Sequence, residues 1–439
     1  MRMSRKKTLC LITALAAALV FCAAGSVSAG PLLEKALAYD EHYQAYHSPG
    51  LGGAVEVQFT DDSLTVAKRY TGIGDSTVHT GAYLAAEAFR YAATHDPEAK
   101  ANALRAASAL HHHLRITGKP GFIARYAGPA EPPFLASRES CLDKPRCHLV
   151  DGGTYGGHFW LGDTSRDQYD GWFFGNGIAY SLIDDPALRA MIRADVKEVI
   201  DALFATGWHI MDVDGLMTGA GSVAFNPAFQ MGWEAVAMEA INEPKYRDRY
   251  RRDADALLPL VAASFLEIPG HHCSQYYAVM FFHRTAYNIA RLDPSPTRRR
   301  LFALDFKELV RPFTRGADNV FFDYVYMAVA HDPDPAVIRR GREALALFPE
   351  PPNRRICREP PPERECALCA LLSAMGRGEP SAVKPYPIEQ QCSTDFLWQR
   401  SPYVMHCCAR TDLAHVYPGI DFMLAYWMGR YHGFIDSND

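Results

Sequence analysis

The chain has 439 residues, 48% of them hydrophobic and 22% charged, with 45 basic against 50 acidic side chains. That balance argues against a nucleic-acid partner, whose phosphates call for a basic surface, and basic runs such as "TRRR" at 297–300 read as solvated helix faces. Beyond the first 29 residues, no stretch is long and uncharged enough to span a bilayer.

Residues 1–29 have the pattern of a secretory signal. Arg2, Arg5, Lys6 and Lys7 precede an apolar run, and "VSA" offers small residues for cleavage after Ala29. A lipid anchor at Cys22 is disfavoured by the bulky Phe21 before it. The expected product is a secreted or periplasmic chain of 410 residues, with 41 basic against 50 acidic side chains and a net charge of −9.

Helical patterns dominate the rest of the chain. A first helix is expected over 31–47, then a short β-hairpin over 55–70, whose residues alternate. Residues 76–95 are Ala-rich with apolar positions three and four apart. Asp96-Pro97 then opens a second, more charged helix that Gly118 ends. The same unit recurs four times: 167–183 with 187–206, 227–242 with 245–266, 275–291 with 297–313, and 318–331 with 335–347. Each pair is joined by a short turn containing Pro, and its first member is the more apolar and aromatic. The helix at 31–47 and one at 419–434 supply a sixth pair from the two ends of the chain. The reading is an all-α fold, an (α/α)6 toroid forming a single domain over 30–439, with long irregular loops at 119–165 and 349–394. A stacked-helix solenoid is the alternative.

Nine cysteines remain after Ala29, and export permits disulfides. Cys141 and Cys147 flank a short loop and form a natural pair. The Pro-rich surroundings of Cys366-x-x-Cys369 favour stapling over zinc. Three adjacent histidines, His111 to His113, point about 100° apart on a helix and cannot share one ion, so they are assigned to a solvated outer face. No metal or cofactor is expected.

In such a toroid the inner helices run in one direction, so the loops leading into them gather at one mouth, together with the positive ends of the helix dipoles. Polar and aromatic residues recur at these places. Asp75 and His79 precede or open the first inner helix, and "GDTSRDQYDGW" at 162–172 opens the next. Asn226, Gln230 and Glu234 stand at the third, His271, His272 and Gln275 at the fourth, Asp318, Asn319 and Asp323 at the fifth, and Asp395, Trp398, Arg400 and Asp421 at the last. Aromatic surfaces beside carboxylates and amides suit a sugar. Capping explains a single aspartate at a helix start, and Asp75 with Ser76, or Thr164 or Ser165, are placed to cap. One cap does not need Asp163, Asp167 and Asp170 together. Asp167 and Asp170 share a helix face, and crowding of carboxylates raises one pKa as a general acid requires.

The chain resembles the six-hairpin glycosidase-like superfamily in "GDSTVHTGAYLAAEAFRYA", "DTSRDQYDGWFFG" and the closing "PGIDFMLAYWMGRYHGF", over roughly 55–435. "SRDQYDG" looks like a signature of bacterial members of this fold. The resemblance implies a sugar-active site at the mouth, with aspartates at inner-helix starts as acid and base, and it reaches Asp75, Asp163 and Asp167. Asp167 is the expected general acid, with Asp75 or Asp163 activating water. Arg166, Asp170, His79, His272, Gln275 and Arg400 are expected to contact an oligo- or polysaccharide, with Tyr169, Trp172 and Trp398 as stacking walls. If the two carboxyls stand about 6.5–9.5 Å apart, inversion is expected. Two alternatives stay open. One is a polysaccharide lyase with a Tyr or His base and Arg166 neutralising a uronate. The other is a non-catalytic toroid binding glycan or protein.

Overall fold

The computed structural model describes residues 30–142, 144–268, 275–359, 384–405 and 410–439. The signal segment, His271 and His272, and Cys273, Cys366, Cys369, Cys407 and Cys408 lie outside them.

The described chain is mostly helical. In order come α1 (Pro31–His42), α2 (Ser76–Thr94), α3 (Pro97–Arg115), α4 (Arg166–Leu182), α5 (Pro186–Ala205), α6 (Pro227–Ile241), α7 (Pro244–Ser264), α8 (Tyr276–Leu292), α9 (Pro296–Asp305), α10 (Val320–Ala330), α11 (Pro335–Ala346) and α12 (Ile420–Tyr431). The turns between paired helices share one local grammar. His95, Asn242 and His331 end α2, α6 and α10 in the left-handed conformation. Asp96, Asp185, Ser295 and Asp334 then accept backbone N–H groups at the start of α3, α5, α9 and α11, each with Pro at the first position. Each such cap contributes about 1 kcal/mol.

The apolar helices pack on one another in sequence: α2 on α4, α4 on α6, α6 on α8, α8 on α10, α10 on α12, and α12 back on α2. The more charged helices lie against them, α3 on α2, α5 on α4 and α6, α7 on α6, α9 on α8 and α11 on α10. As expected from the sequence, the ends of the chain meet. Helix α1 packs on α12, and Leu33 N donates to the Asp439 carbonyl at 3.0 Å. Helix α1 also delivers Asp40 to a buried network. Arg90 Nη1 donates to Asp40 Oδ2 at 2.7 Å, Asn102 Nδ2 donates to the same oxygen at 2.8 Å, and Tyr83 donates to its other oxygen.

The core is aromatic. Phe173 and Phe229 both stack on Trp233, with centroids at 5.0 and 5.1 Å, and Trp172, Phe174, Phe321 and Trp427 are wholly buried. The α2–α4 contact depends on glycine. A Cβ at Gly81 would stand 1.9 Å from the Gly171 carbonyl oxygen, and one at Gly175 2.4 Å from that of Gly81. The two backbones touch because no side chain intervenes. Gly81→Ala therefore forces the helices apart and is expected to cost about 3 kcal/mol. Gly152→Ala, where the new methyl meets nothing within 4 Å, is the control. Denaturant unfolding of the two variants checks the difference.

The strands exceed the sequence expectation. Beside the foreseen hairpin of β1 (Glu56–Phe59) and β2 (Ala67–Thr71), the supposedly irregular 119–165 segment holds β3 (Tyr126–Pro129), β4 (Cys147–Val150) and β5 (His158–Leu161), paired antiparallel in the order β3-β5-β4. A second hairpin, β6 (His209–Met211) with β7 (Met217–Ser222), was not foreseen. Two further strands, β8 (Asn353–Arg355) and β9 (Asp412–Tyr417), complete an antiparallel sheet in the order β2-β1-β9-β8, with Val57 opposite Val416. Cys141 and Cys147 are disulfide-bonded as expected, and Cys357 and Cys392 are each in a disulfide. No helix among the described residues is long and apolar enough to cross a membrane.

The histidine run departs from the solvated-face reading. His113 is fully buried against Thr77 Oγ1 at 2.6 Å, His111 pairs with Asp195 at 2.7 Å, and His112 bonds Tyr155 Oη at 2.9 Å. Three directions give three separate partners.

Candidate functional site

The starts of α2 and α4 lie side by side, and the capping expected there is absent. Asp75 occupies the cap position of α2 and Ser165 that of α4, yet neither side chain accepts a backbone N–H, and Thr164 Oγ1 has no partner either. Gln168 performs the junction instead. Its Oε1 accepts from Val78 N at 3.0 Å, and its Nε2 donates to Asp75 Oδ1 at 2.9 Å. One carboxamide thus closes the open N-terminus of α2 and fixes the Asp75 carboxylate, whose side chain stays 54% exposed.

Asp167, in the first turn of α4, is half-buried and accepts no hydrogen bond from a described residue. Burial pushes its carboxyl up to about 6. Asp75 adds to the rise, while Arg166 and Arg125 oppose it. A carboxylic acid that is still largely protonated in the mildly acidic range and faces an ionisable partner is the electrostatic arrangement general acid catalysis needs.

Asp395 and His79 stand beside Asp75, each with a polar atom within 4.8 Å of the others. The Asp395 carboxylate accepts from Thr394 Oγ1 at 2.7 Å, from its neighbour Phe396 N at 2.9 Å and from Arg400 Nη2 at 3.0 Å. His79 Nε2 stands 3.5 Å from its Oδ2. Burial alone would raise Asp395, but His79, Arg400 and Thr394 overcome it and hold the carboxyl well below the usual range. His79 is 5% exposed, and beyond this long contact with Asp395 neither ring nitrogen has a partner among the described residues.

Below this layer lies a second charged pair. Arg284 of α8 is fully buried between the faces of Phe174 and Phe396, at 5.6 and 5.1 Å, with no hydrogen bond from its guanidinium to a described residue. Its charge faces Asp170, which burial pushes up to about 7 and whose Oδ1 accepts from Thr285 at 3.0 Å.

Several expected contacts are corrected by these placements. Asp170 is 2% exposed and serves Thr285 and Arg284, not a ligand. Tyr169, Trp172 and Trp398 are core residues and offer no open face for stacking. Tyr169 Oη donates to the Gly121 carbonyl at 3.0 Å, and Trp398 Nε1 to that of Asp421 at 2.7 Å. Asp163 adopts φ +50°, and its Oδ1 accepts from Gly219 N at 2.8 Å. Its own N donates to Asp212 Oδ2 at 2.7 Å, so its carboxylate braces β7. Arg166 is half-buried and donates one Nη1 bond to the Ser222 carbonyl at 3.2 Å, leaving the rest of its guanidinium for other partners. Gln275 is exposed at φ +50° before α8, and Arg400 is partly exposed beside Asp395. His272 lies outside the described residues. Asn226 and Asn319 are caps, and Asp323 pairs with Arg311.

The sequence reading missed three contributors. Gln168 sits inside the very motif that drew attention, but its spacing gives no sign of a bridge to α2. Arg125 comes from the strand-bearing segment; its Nε donates to the Asp163 carbonyl at 2.9 Å and its Nη1 stands 3.9 Å from Asp75. Tyr277, 41% exposed at the start of α8, lies within the electrostatic reach of Asp167 and Arg166. No protein-family model matches the chain, and no curated protein matches it.

Proposed function

We propose that the protein is an exported glycoside hydrolase built on an (α/α)6 toroid, with Asp167 as general acid and Asp75 as the carboxylate that activates water. The carrying observation is the pair of acidic side chains at adjacent helix starts. Neither is used as a cap, and the one without hydrogen bonds has a raised pKa. The closed order of inner-helix contacts supports the toroid. In this reading Arg166 and Arg400 bind sugar hydroxyls or a charged substituent. Tyr277 supplies the apolar face that Tyr169, Trp172 and Trp398 do not offer.

In the first step the Asp167 proton passes to the leaving oxygen as the glycosidic bond breaks. Asp75 takes a proton from the water that adds to the anomeric carbon. The test is an oligosaccharide panel incubated with the full mature chain. New reducing ends without ultraviolet absorbance are expected. An unsaturated, absorbing product would replace hydrolysis by β-elimination, and binding without turnover across the panel would remove the enzymatic reading.

A further inference from the structure

We propose that Asp75, His79 and Asp395 form a binding site for a divalent first-row cation of the Zn2+ or Mn2+ kind. Each residue offers one ligand atom, and these atoms lie within 4.8 Å of one another. Ligand atoms about 2.1 Å from an ion stand roughly 3 to 4 Å apart, so a small inward movement of the three closes the shell.

Two carboxylates near one another are not by themselves a site. What points to a ligand is His79. It is 95% buried, its Nδ1 has no hydrogen-bond partner among the described residues, and its Nε2, which faces the two carboxylates, has only the long 3.5 Å approach to Asp395 Oδ2. So long a contact satisfies the buried imidazole poorly, where a fully unsatisfied one costs about 1 to 3 kcal/mol, and a cation bound at Nε2 replaces it by a direct bond.

The carboxylates are held as metal-bound carboxylates usually are, by outer donors that fix their orientation. Gln168 takes Asp75 Oδ1, and no described residue takes its Oδ2. Thr394 and Arg400 donate to Asp395 Oδ1, and Gln399 Nε2 reaches both oxygens at 3.4 and 3.3 Å, so Oδ2, 3.5 Å from His79 Nε2, keeps one long hydrogen bond and a lone pair toward the site. The imidazole selects against Ca2+ and Mg2+, which prefer all-oxygen shells. Three protein ligands leave open positions, and the exposed side of Asp75 directs them to the mouth.

Arg400 and Arg125 already neutralise part of the carboxylate charge. The site is therefore expected to load reversibly and to be stripped by a chelator. With the ion in place, Asp75 becomes its ligand, and a water on the ion takes the position of a water activated by Asp75 alone. Binding itself does not depend on the hydrolase reading, because it is measured without substrate.

The experiment is calorimetric titration of chelator-treated mature protein with ZnCl2 and, separately, MnCl2, paired with thermal unfolding. One equivalent of saturable uptake and a higher unfolding midpoint are expected. His79→Gln and Asp75→Asn should weaken uptake at least tenfold. Asp75→Asn alters a half-exposed side chain, so it keeps the test valid if His79→Gln fails to fold. The absence of one-equivalent uptake of either ion, uptake unchanged in Asp75→Asn, or equally tight binding of CaCl2 would each overturn the site.

Discussion

Asp167→Asn is expected to lower turnover of whichever glycan the wild type cleaves by about 10²- to 10⁴-fold, the range that general acid catalysis contributes. Its unfolding midpoint should stay the same or rise. The two effects share one cause. The carboxyl is pushed up to about 6 from an ordinary 3.8, chiefly by burial, so at pH 7 its ionised form is held at a cost of up to about 3 kcal/mol. An amide of the same shape removes that cost and, with it, the proton the leaving group needs. No described hydrogen bond is broken, because Asp167 accepts none. Wild-type activity should decline above about pH 6 as the acid ionises. A variant that keeps full activity would remove Asp167 from the mechanism. A variant that loses both activity and several degrees of stability would make it a structural residue.

Much of the helical framework was legible because its signals are local. Asp96-Pro97, Asp185-Pro186 and Asp334-Pro335 each carry a cap and a preset backbone angle within two residues, and all three start helices where expected. Sheet pairing was not legible in the same way. Val57 meets Val416 across most of the chain, and neither segment betrays the other. The candidate site was half legible for the same reason. Asp75, His79 and Asp167 stand where the repeat places them, but whether a side chain caps, braces or faces solvent depends on contacts from distant segments. Gly219, more than fifty residues on, occupies Asp163, while Gln168 frees Asp75 from capping. Aromatic residues misled most. Trp172 and Tyr169 have the composition of a sugar platform, but on a helix with neighbours on both sides an aromatic is more cheaply used as core. The exposed ring beside Asp167 and Arg166, Tyr277, comes from a different helix.

Fold stability should be greatest between about pH 4.5 and 6.5 and fall on both sides. Two sets of buried groups act in opposite directions. Burial pushes Glu234 up to about 8 and Asp170 and Asp421 up to about 7. These groups hold protons in the folded chain that the unfolded chain has released, so they stabilise at low pH and lose that contribution as pH rises through their folded values. Burial lowers His47, His113 and His283 to about 3. The unfolded chain binds protons there first, so these destabilise as pH falls below about 6.5. Each group contributes about 1.4 kcal/mol per pH unit in its window. His42 and His432, lowered by burial to about 4, join the histidines, and Asp167, raised to about 6, and Glu87, raised further, join the carboxyls, so between about pH 4.5 and 6.5 the two sets oppose and largely offset each other. From about pH 6.5 to 8 only the carboxyls titrate, and the loss from Glu234, Asp170 and Asp421 amounts to about 3 kcal/mol, more than half of it from Glu234. Below about pH 4 only the histidines act, joined by Asp395, whose carboxylate is stabilised in the fold and must take up a proton as the chain unfolds. Denaturant midpoints measured from pH 3 to 9 check the shape. Glu234 is buried at 3% exposure with Oε1 3.6 Å from Arg249 Nε, so Glu234→Gln keeps the shape and an acceptor. That variant should retain about 2 kcal/mol more of its stability than the wild type on going from pH 6 to 8. A wild type that gains stability over the same interval would reverse the assignment of which buried groups control the fold.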